Sequence, residues 1–502
     1  VTSTAILSID EGTTGTRAAL VSPEGKVSCV NYRRLSSHSP RSGVVEQDAN
    51  TIIEETINAI RATTAQAKET NTEIVGVAIT NQRATAVLWD VQTGMAVVPA
   101  MVWQDTRHVE KLEQIADSWD QELIQHCGRS TGVRSPYLWA AQHIRENPEV
   151  AALHQSGRLR FGTIDGWLVW NLTKERRCVA SATNATSSGA FRLRENSYHT
   201  GYIEALGFPA DLLPEIVEDR QWLGTGRAEI FGTEVPILAA IGDQHAAMIG
   251  LGCVENGKAM VVHGTGSFCD LITGTSFPSN PGKHEGTLTL TGWRADGVSS
   301  YSVESHTATT GSAFDWFCER LGWFENAMQI SDFASRTDSS HGVLFIPTLT
   351  GIRVPVVDHR VRAGITGIST ATTKADVAYA LLEGVAHFVR SSLECNVDVA
   401  GIEPNEVVVG GGVSASDTLI QIQADYSGLP MRRRSGTAEA SLRGAAFLAG
   451  SGGLMWDGLG EAVSTLDKGQ LFEPRMGSDQ RESIAATWRR RIDREIAEVK
   501  EN

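Results

Sequence analysis

The chain has 502 residues, 41% hydrophobic and 21% charged, and single cores stop growing near about 250–300 residues, so two domains are expected. The formal net charge is −15 and no run of Lys or Arg is longer than three residues, which argues against a nucleic-acid footprint and leaves any anionic ligand to local donors or a metal. No apolar stretch reaches the ~18–20 residues of a membrane span, because residues 235–254 carry Asp243, Gln244 and His245 at their centre.

In chain order, residues 5–9 are β-rich, 10–15 form a Gly/Thr turn and 17–21 are extended again. This strand pattern begins so early that no signal peptide is expected. Pro23-Glu24-Gly25 turns the chain into a third strand over 26–30. Asp48 offers an N-cap to a helix carrying Ile52, Ile53, Ile57 and Ile60 at helical spacing. Strands are expected over 74–80, 86–89 and 98–103. Past residue 250 the theme recurs: Met260-Val261-Val262 leads into His263-Gly264-Thr265-Gly266-Ser267, and 268–273 extends again. Two strand–Gly/Thr turn–strand units predict a duplicated α/β architecture with a cleft between its halves, divided near residues 250–255. A long helix is expected from Thr372-Thr373-Lys374, and a buried strand at Val407-Val408-Val409 runs into Gly410-Gly411-Gly412. Residues 414–417 cap the next helix, 439–450 read as an Ala-rich helix suited to close packing, and a charged amphipathic helix starts at Gln480. Seven cysteines without a C-x-x-C pair point to a reducing cytoplasm rather than a disulfide framework.

Several of these loops carry chemistry. In Asp10-Glu11-Gly12-Thr13-Thr14-Gly15-Thr16-Arg17, glycines allow inward-facing N–H groups and hydroxyls add donors, which suits phosphate oxygens. Asp10 at the strand end suits a hydrated Mg²⁺. A plain β-turn is the alternative. Gly264-Thr265-Gly266 lacks the following helix of a dinucleotide fingerprint, but paired with the first turn it could grip a nucleotide's phosphates, with Gly410-Gly411-Gly412 near the base. Asp243, after a strand and before a helix, is placed as a general base or as an N-cap. His245 and His263 have no metal-ligand spacing and read as structural. Asn81-Gln82-Arg83 and Trp103-Gln104-Asp105-Thr106-Arg107 put fork-shaped donors beside an aromatic, which suits a polyhydroxylated ligand; for Arg107 a salt-bridge network is the rival.

Taken together these loops resemble the FGGY family of carbohydrate kinases, and its glycerol kinases most, from residue 5 to about 450. Residues 10–17 look like the family's first phosphate loop and Gly264-Thr265-Gly266 like its second. Gly162-Thr163-Ile164-Asp165-Gly166-Trp167-Leu168, Asn184-Ala185-Thr186 and 345–351 are also similar, and 363–383 fits the C-terminal signature. The resemblance implies two ribonuclease H-like domains of the actin/hexokinase/Hsp70 type, 1–252 and 253–502, with ATP and sugar meeting between them. It implies that Asp243 takes the proton of the substrate hydroxyl, which attacks the γ-phosphorus in line. Thr13, Thr14, Arg17, Thr265 and Gly266 would face the phosphates, and Gly311, Asp315, Gly411, Gly412 and Ser416 would line the nucleoside site. Mg²⁺ would lie near Asp10 and Asp243. Arg83, Ala84, Trp103, Tyr137, Asp243, Gln244 and Phe268 would surround the polyol.

Departures from the family pattern bear on the substrate. Ala84 stands where a Glu usually follows Asn-Gln-Arg, which removes a hydroxyl acceptor and opens space. Asp315 replaces a usual Gln, Ser416 a usual Asn and Gly410 an Asp, while Val356-Val357 replace Tyr-Trp. Gln142-His143 meets the helix after Tyr137 poorly, and no counterpart of the regulatory sugar-bisphosphate loop stands at 226–233. The expectation is a cytoplasmic, Mg²⁺-dependent homo-oligomer, dimer or tetramer, that phosphorylates glycerol or else a tetritol, pentitol or pentulose. It would have no nucleic-acid or membrane partner. An actin- or Hsp70-like ATPase and a silent sugar-binding protein are the rivals from other classes.

Overall fold

A computed structural model describes residues 3–501 of the chain. It resolves into two compact units. The first comprises the chain up to Val254, with Leu290–Tyr301 and Glu439–Leu466; the second comprises Glu255–Thr289, Ser302–Ala438 and the chain from Asp467.

In the first unit β1 (Ser3–Glu11) and β2 (Gly15–Val21) form the expected hairpin, with Asp10 opposite Arg17, and β3 (Val27–Arg34) continues it. Helix α1 (Ala49–Glu69) starts where Asp48 accepts the Asn50 N–H, and buries Ile52, Ala59 and Ile60. The chain returns as β4 (Thr72–Asn81), parallel to β1 with Thr80 opposite Asp10 and Asn81 opposite Glu11. β5 (Arg220–Gly226) and β6 (Val235–Gly242) complete this part, β6 lying parallel to β4 with Gly242 opposite Asn81. The carboxyl ends of β1, β4 and β6 therefore meet in one row, the position where open parallel sheets present ligand-binding groups. The strand expected over 98–103 shrinks to Ala100–Met101, because Val102 and Trp103 turn away to make loop contacts.

Helix α2 (Asp243–Gly250) follows β6 and crosses the Ala-rich helix Ala440–Gly450 at small residues. A Cβ on Gly250 would fall on the Ala440 carbonyl, and one on Gly444 on the Ala246 carbonyl, so only glycine permits this backbone approach. The Ser8 hydroxyl reaches the Leu442 carbonyl at 2.7 Å, fixing the same helix on β1.

The second unit repeats the plan. β7 (Lys258–His263) and β8 (Ser267–Gly274) form an antiparallel hairpin, and β9 (Glu406–Gly411) lies parallel to β7 with Gly411 opposite His263. The 27-residue helix Lys374–Ala400 starts with a reciprocal Thr373/Asp376 capping box. Ser416 caps the helix Asp417–Ser427 by accepting the Leu419 N–H. The charged helix Ser478–Glu501 ends the described chain. Among the described residues, no helix is long and apolar enough to cross a membrane.

Candidate active site

The site in the first unit grows from the row of strand ends. Asp243 is the first residue of α2, with Gly242 as N-cap. Its Oδ1 accepts the Gln244 N–H at 2.8 Å and lies 3.5 Å from Arg83 Nε. The N-cap alternative is thus set aside: the carboxylate sits in the first turn, where the helix dipole favours its charge, and 30% of the side chain is exposed. Gly242 has no Cβ because one would lie 2.8 Å from the Arg83 side chain and 2.9 Å from His245 Nδ1. Burial, followed by the Arg83 charge, holds the His245 imidazole well below its ordinary pKa, so a neutral ring backs the pair.

A buried scaffold aims this corner. Gly242 N–H donates to Thr183 Oγ1 at 2.9 Å, and Thr183 donates its hydroxyl to Asp219 Oδ1 at 2.6 Å. The Arg294 N–H donates to the other Asp219 oxygen at 2.8 Å. Burial pushes Asp219 up to about 7 despite these donors. Asn81 and Asn184 exchange amide hydrogen bonds of 2.9 and 3.1 Å, and Asp165 accepts the Ser181 N–H at 2.8 Å. The motifs 162–168 and 184–186 are therefore the floor on which Arg83 and Asp243 stand. Sequence spacing held no sign of the Thr183–Asp219 support.

The first glycine turn closes with a Gly12 N–H to Gly15 carbonyl bond of 3.0 Å. Thr14 is exposed, its carbonyl taken by the Leu35 N–H and the Tyr32 hydroxyl, each at 2.9 Å. Thr13 accepts the Trp103 indole N–H at 2.9 Å, which ties the turn to the aromatic of the second polar cluster. Asp10 is paired with Arg17 and also accepts the Ser441 hydroxyl at 2.7 Å. Ser441 lies far along the chain and gave no sequence signal. The Arg134 guanidinium lies 6.0 Å from the Trp103 ring centre.

Other candidates are placed differently. Ala84 is fully buried and has a left-handed backbone, φ 62°, uncommon for a residue other than glycine. Tyr137 is only 2% exposed, its ring set between Phe161 and Phe208 at 5.6 and 5.5 Å. Arg107 is taken up by Asp105 and Glu46 at 2.8 Å each, so the salt-bridge reading holds for it.

In the second unit the Thr265 carbonyl accepts the Thr310 and Ser312 N–H groups at 2.8 and 3.1 Å, and the Gly264 carbonyl accepts the Gly311 N–H at 3.0 Å. These bonds dock the Gly311 turn on the second glycine turn. A chain of hydroxyls supports it: His263 Nδ1 meets Ser267 Oγ at 2.8 Å, and Ser267 Oγ meets Thr310 Oγ1 at 2.7 Å. Burial holds His263 down to about 4, so this imidazole is neutral and structural. Gly411, φ 86°, passes so close to the His263 carbonyl that a side chain is impossible there. A recess of about 490 Å³ is lined by Gly411, Gly412, Ser414, Ala415, Arg433 and Thr437 among others, room enough for a nucleoside. Arg433 walls it, bound to the Ser414 carbonyl at 2.8 Å and Asp417 at 2.6 Å. Asp315 is exposed at the end of the helix Gly311–Asp315, and the Phe268 ring stacks on His306 at 5.6 Å. Among the described residues, no three His, Cys, Asp or Glu side chains gather as a metal cage.

Two units, each built on an antiparallel hairpin with a glycine turn and a parallel strand ending beside it, define the actin/hexokinase class of kinases. Within that class the chain belongs to the FGGY family of carbohydrate kinases: residues 5–250 match the family's N-terminal domain and 259–452 its C-terminal domain. It is 33% identical over 493 residues to the glycerol kinase of Petrotoga mobilis, covering 97% of this chain and 98% of that one. The glycerol kinase of Aromatoleum aromaticum is 33% identical over 497 residues, with the same coverage of both chains. The crystal structure of Plasmodium falciparum glycerol kinase with ADP superposes with a TM-score of 0.91 at 25% identity, over 98% of each chain.

Proposed function

We propose that this carbohydrate kinase transfers the γ-phosphoryl group of ATP to a hydroxyl of a small polyol, with glycerol as the first substrate. The observation that carries this reading is the Arg83–Asp243 pair at the joined ends of β4 and β6, in a chain related to glycerol kinases over nearly its whole length. Asp243 is exposed enough to meet a hydroxyl and accept its proton. Arg83 orients that carboxylate and donates to a neighbouring substrate oxygen. Trp103 offers a ring face to the C–H edge of the polyol, and Gln244 and Phe268 complete its surroundings. Thr13, Thr14, Arg17, Thr265 and Gly266 meet the phosphates. Gly311, Asp315, Gly411, Gly412 and Ser416 meet the nucleoside.

Asp10 and Asp243 supply hard carboxylate oxygens of the kind Mg²⁺ takes one or two of, the rest of its shell coming from water and phosphate. The ion, when bound, neutralises charge on the transferring group. The enzyme is proposed to work in the cytoplasm as a homo-oligomer.

A longer polyol or a ketose is the second reading, favoured by Ala84: the buried left-handed position carries a methyl where the glycerol kinase pattern has a carboxylate. A coupled assay of ADP release against glycerol, four- and five-carbon polyols, ketoses and gluconate tests both, with Ala84→Glu alongside wild type. Glycerol winning in both proteins supports the first reading. A longer substrate winning, with Ala84→Glu restoring glycerol, supports the second. ADP release independent of any carbohydrate would overturn both in favour of an ATPase.

A further inference from the structure

Gln82 lies at the centre of a closed hydrogen-bond ring in the first unit, and the donors in the ring fix which way its amide faces. An indole N–H can only donate, and that of Trp103 goes to Thr13 Oγ1 at 2.9 Å. The Thr13 hydroxyl proton is therefore free to go to Gln82 Oε1, 3.3 Å away. The Trp103 backbone N–H goes to Thr85 Oγ1 at 3.2 Å, and the Thr85 hydroxyl then donates to the same Gln82 oxygen at 2.9 Å. The Gln82 NH₂ must face the other way, toward Gln47 Oε1 at 2.9 Å and Glu11 Oε1 at 3.3 Å. Gln47 agrees with this sense, since its own NH₂ donates to the Thr13 carbonyl at 2.6 Å. Both donors and both acceptor positions of the amide are used.

Glu11 closes the ring from below. Its side chain is 0% exposed, and its Oε2 has no hydrogen-bond partner among the described residues. We propose that Glu11 is a positioning residue, holding Thr13 of the first glycine turn and Trp103 of the polyol cluster in one fixed relation through the Gln82 amide. This rests on the roles given above to Thr13 and Trp103.

Burial pushes the Glu11 carboxyl well above the ordinary carboxylate range, and the neighbouring Asp10 charge adds to the effect. The groups facing it are Asp10, which is paired with Arg17, on its own strand, Thr16 on β2 backed by Thr56 of α1, and Gln82. The carboxyl accepts the hydrogen bond that the Gln82 NH₂ donates at 3.3 Å. Without that acceptor the Gln82 NH₂ keeps only Gln47, and a turn of the amide takes Oε1 from Thr13 and Thr85, loosening both tethers of Trp103 together.

Three substitutions test this, with thermal unfolding measured in parallel. Glu11→Gln presents a carbonyl to the same N–H and cannot ionise, so kcat/KM at pH 7 stays within about twofold of wild type. Glu11→Leu leaves a buried N–H unmatched and raises KM for ATP and for the polyol together, by about tenfold. The idea is overturned if Glu11→Gln is as damaged as Glu11→Leu, or if Glu11→Leu disturbs one substrate alone or neither. Where Glu11→Leu does not fold, Glu11→Gln decides: kcat/KM within about twofold of wild type supports the idea and a larger loss overturns it. Should wild type phosphorylate no carbohydrate, the functional reading falls by itself. The Trp103 emission of the free enzyme, taken by difference against Trp103→Phe, then still reads the tether: it shifts red in Glu11→Leu and not in Glu11→Gln, and an identical emission in wild type and Glu11→Leu refutes the proposal.

Discussion

Gly311→Ala separates a phosphate-turn role from a merely convenient small residue. Gly311 has an ordinary backbone conformation, so alanine suffers no strain of its own; the cost is contact. The added Cβ would lie 2.6 Å from the Gly264 carbonyl oxygen and 3.3 Å from its carbon, and ordinary contact starts at 3.4 Å, so the turn must retreat by about 0.8 Å. Its partner is backbone, held by the Gly311 N–H to Gly264 bond of 3.0 Å, and cannot rotate away as a side chain would. Forcing one methyl into such a contact costs about 1–3 kcal/mol. Since ~1.4 kcal/mol is tenfold, ATP affinity should fall between about fivefold and a hundredfold. Gly412→Ala is the counterpart, because its Cβ meets no atom within 4 Å and stability should not change. Calorimetric titration with ATP and thermal unfolding of both variants make the comparison. Gly311→Ala should lose affinity and stability together, and Gly412→Ala affinity alone. ATP affinity within twofold of wild type in Gly311→Ala would refute the placing of the second glycine turn against the phosphates.

Asp243→Asn keeps the shape of the α2 start but cannot take a proton, so phosphoryl transfer should fall by about 10²–10⁴-fold while ATP affinity in titration stays near wild type. Ser441→Ala removes the 2.7 Å bond to Asp10 and should raise KM for ATP a few-fold with the polyol KM unchanged in steady-state kinetics. His387 is stacked on Trp488 at 4.4 Å, and burial holds it down to about 3. The unfolded chain binds its proton near pH 6.5 and the folded one does not, so stability is lost as pH falls below that value. At pH 5 the loss amounts to about 2 kcal/mol. His387→Phe should abolish this share of the acid sensitivity in urea unfolding at pH 7 and pH 5.

Much of the architecture was written in local patterns. The hairpins follow from alternating β-rich residues around Gly/Thr turns, α1 from Asp48 and its isoleucine spacing, and the second unit from recurrence of the same theme. Family motifs in the loops named Asp243, Arg83 and Trp103 as candidates, because phosphate and hydroxyl chemistry demand particular side chains on particular turns. Local pattern therefore supplies the inventory: which elements form, and which side chains are equipped for phosphoryl transfer. Partnership needed the tertiary structure. Arg107 is tied to Asp105 and Glu46, Tyr137 is packed among aromatics, Ser441 reaches Asp10 from more than four hundred residues away, and Glu11 lies sealed beneath Gln82. Burial and hydrogen-bond partners are properties of three-dimensional neighbours, and no spacing along the chain encodes that β1, β4 and β6 end side by side. The division of labour among equally polar residues was settled only there, by which were left exposed at the strand ends and which were spent holding them in place.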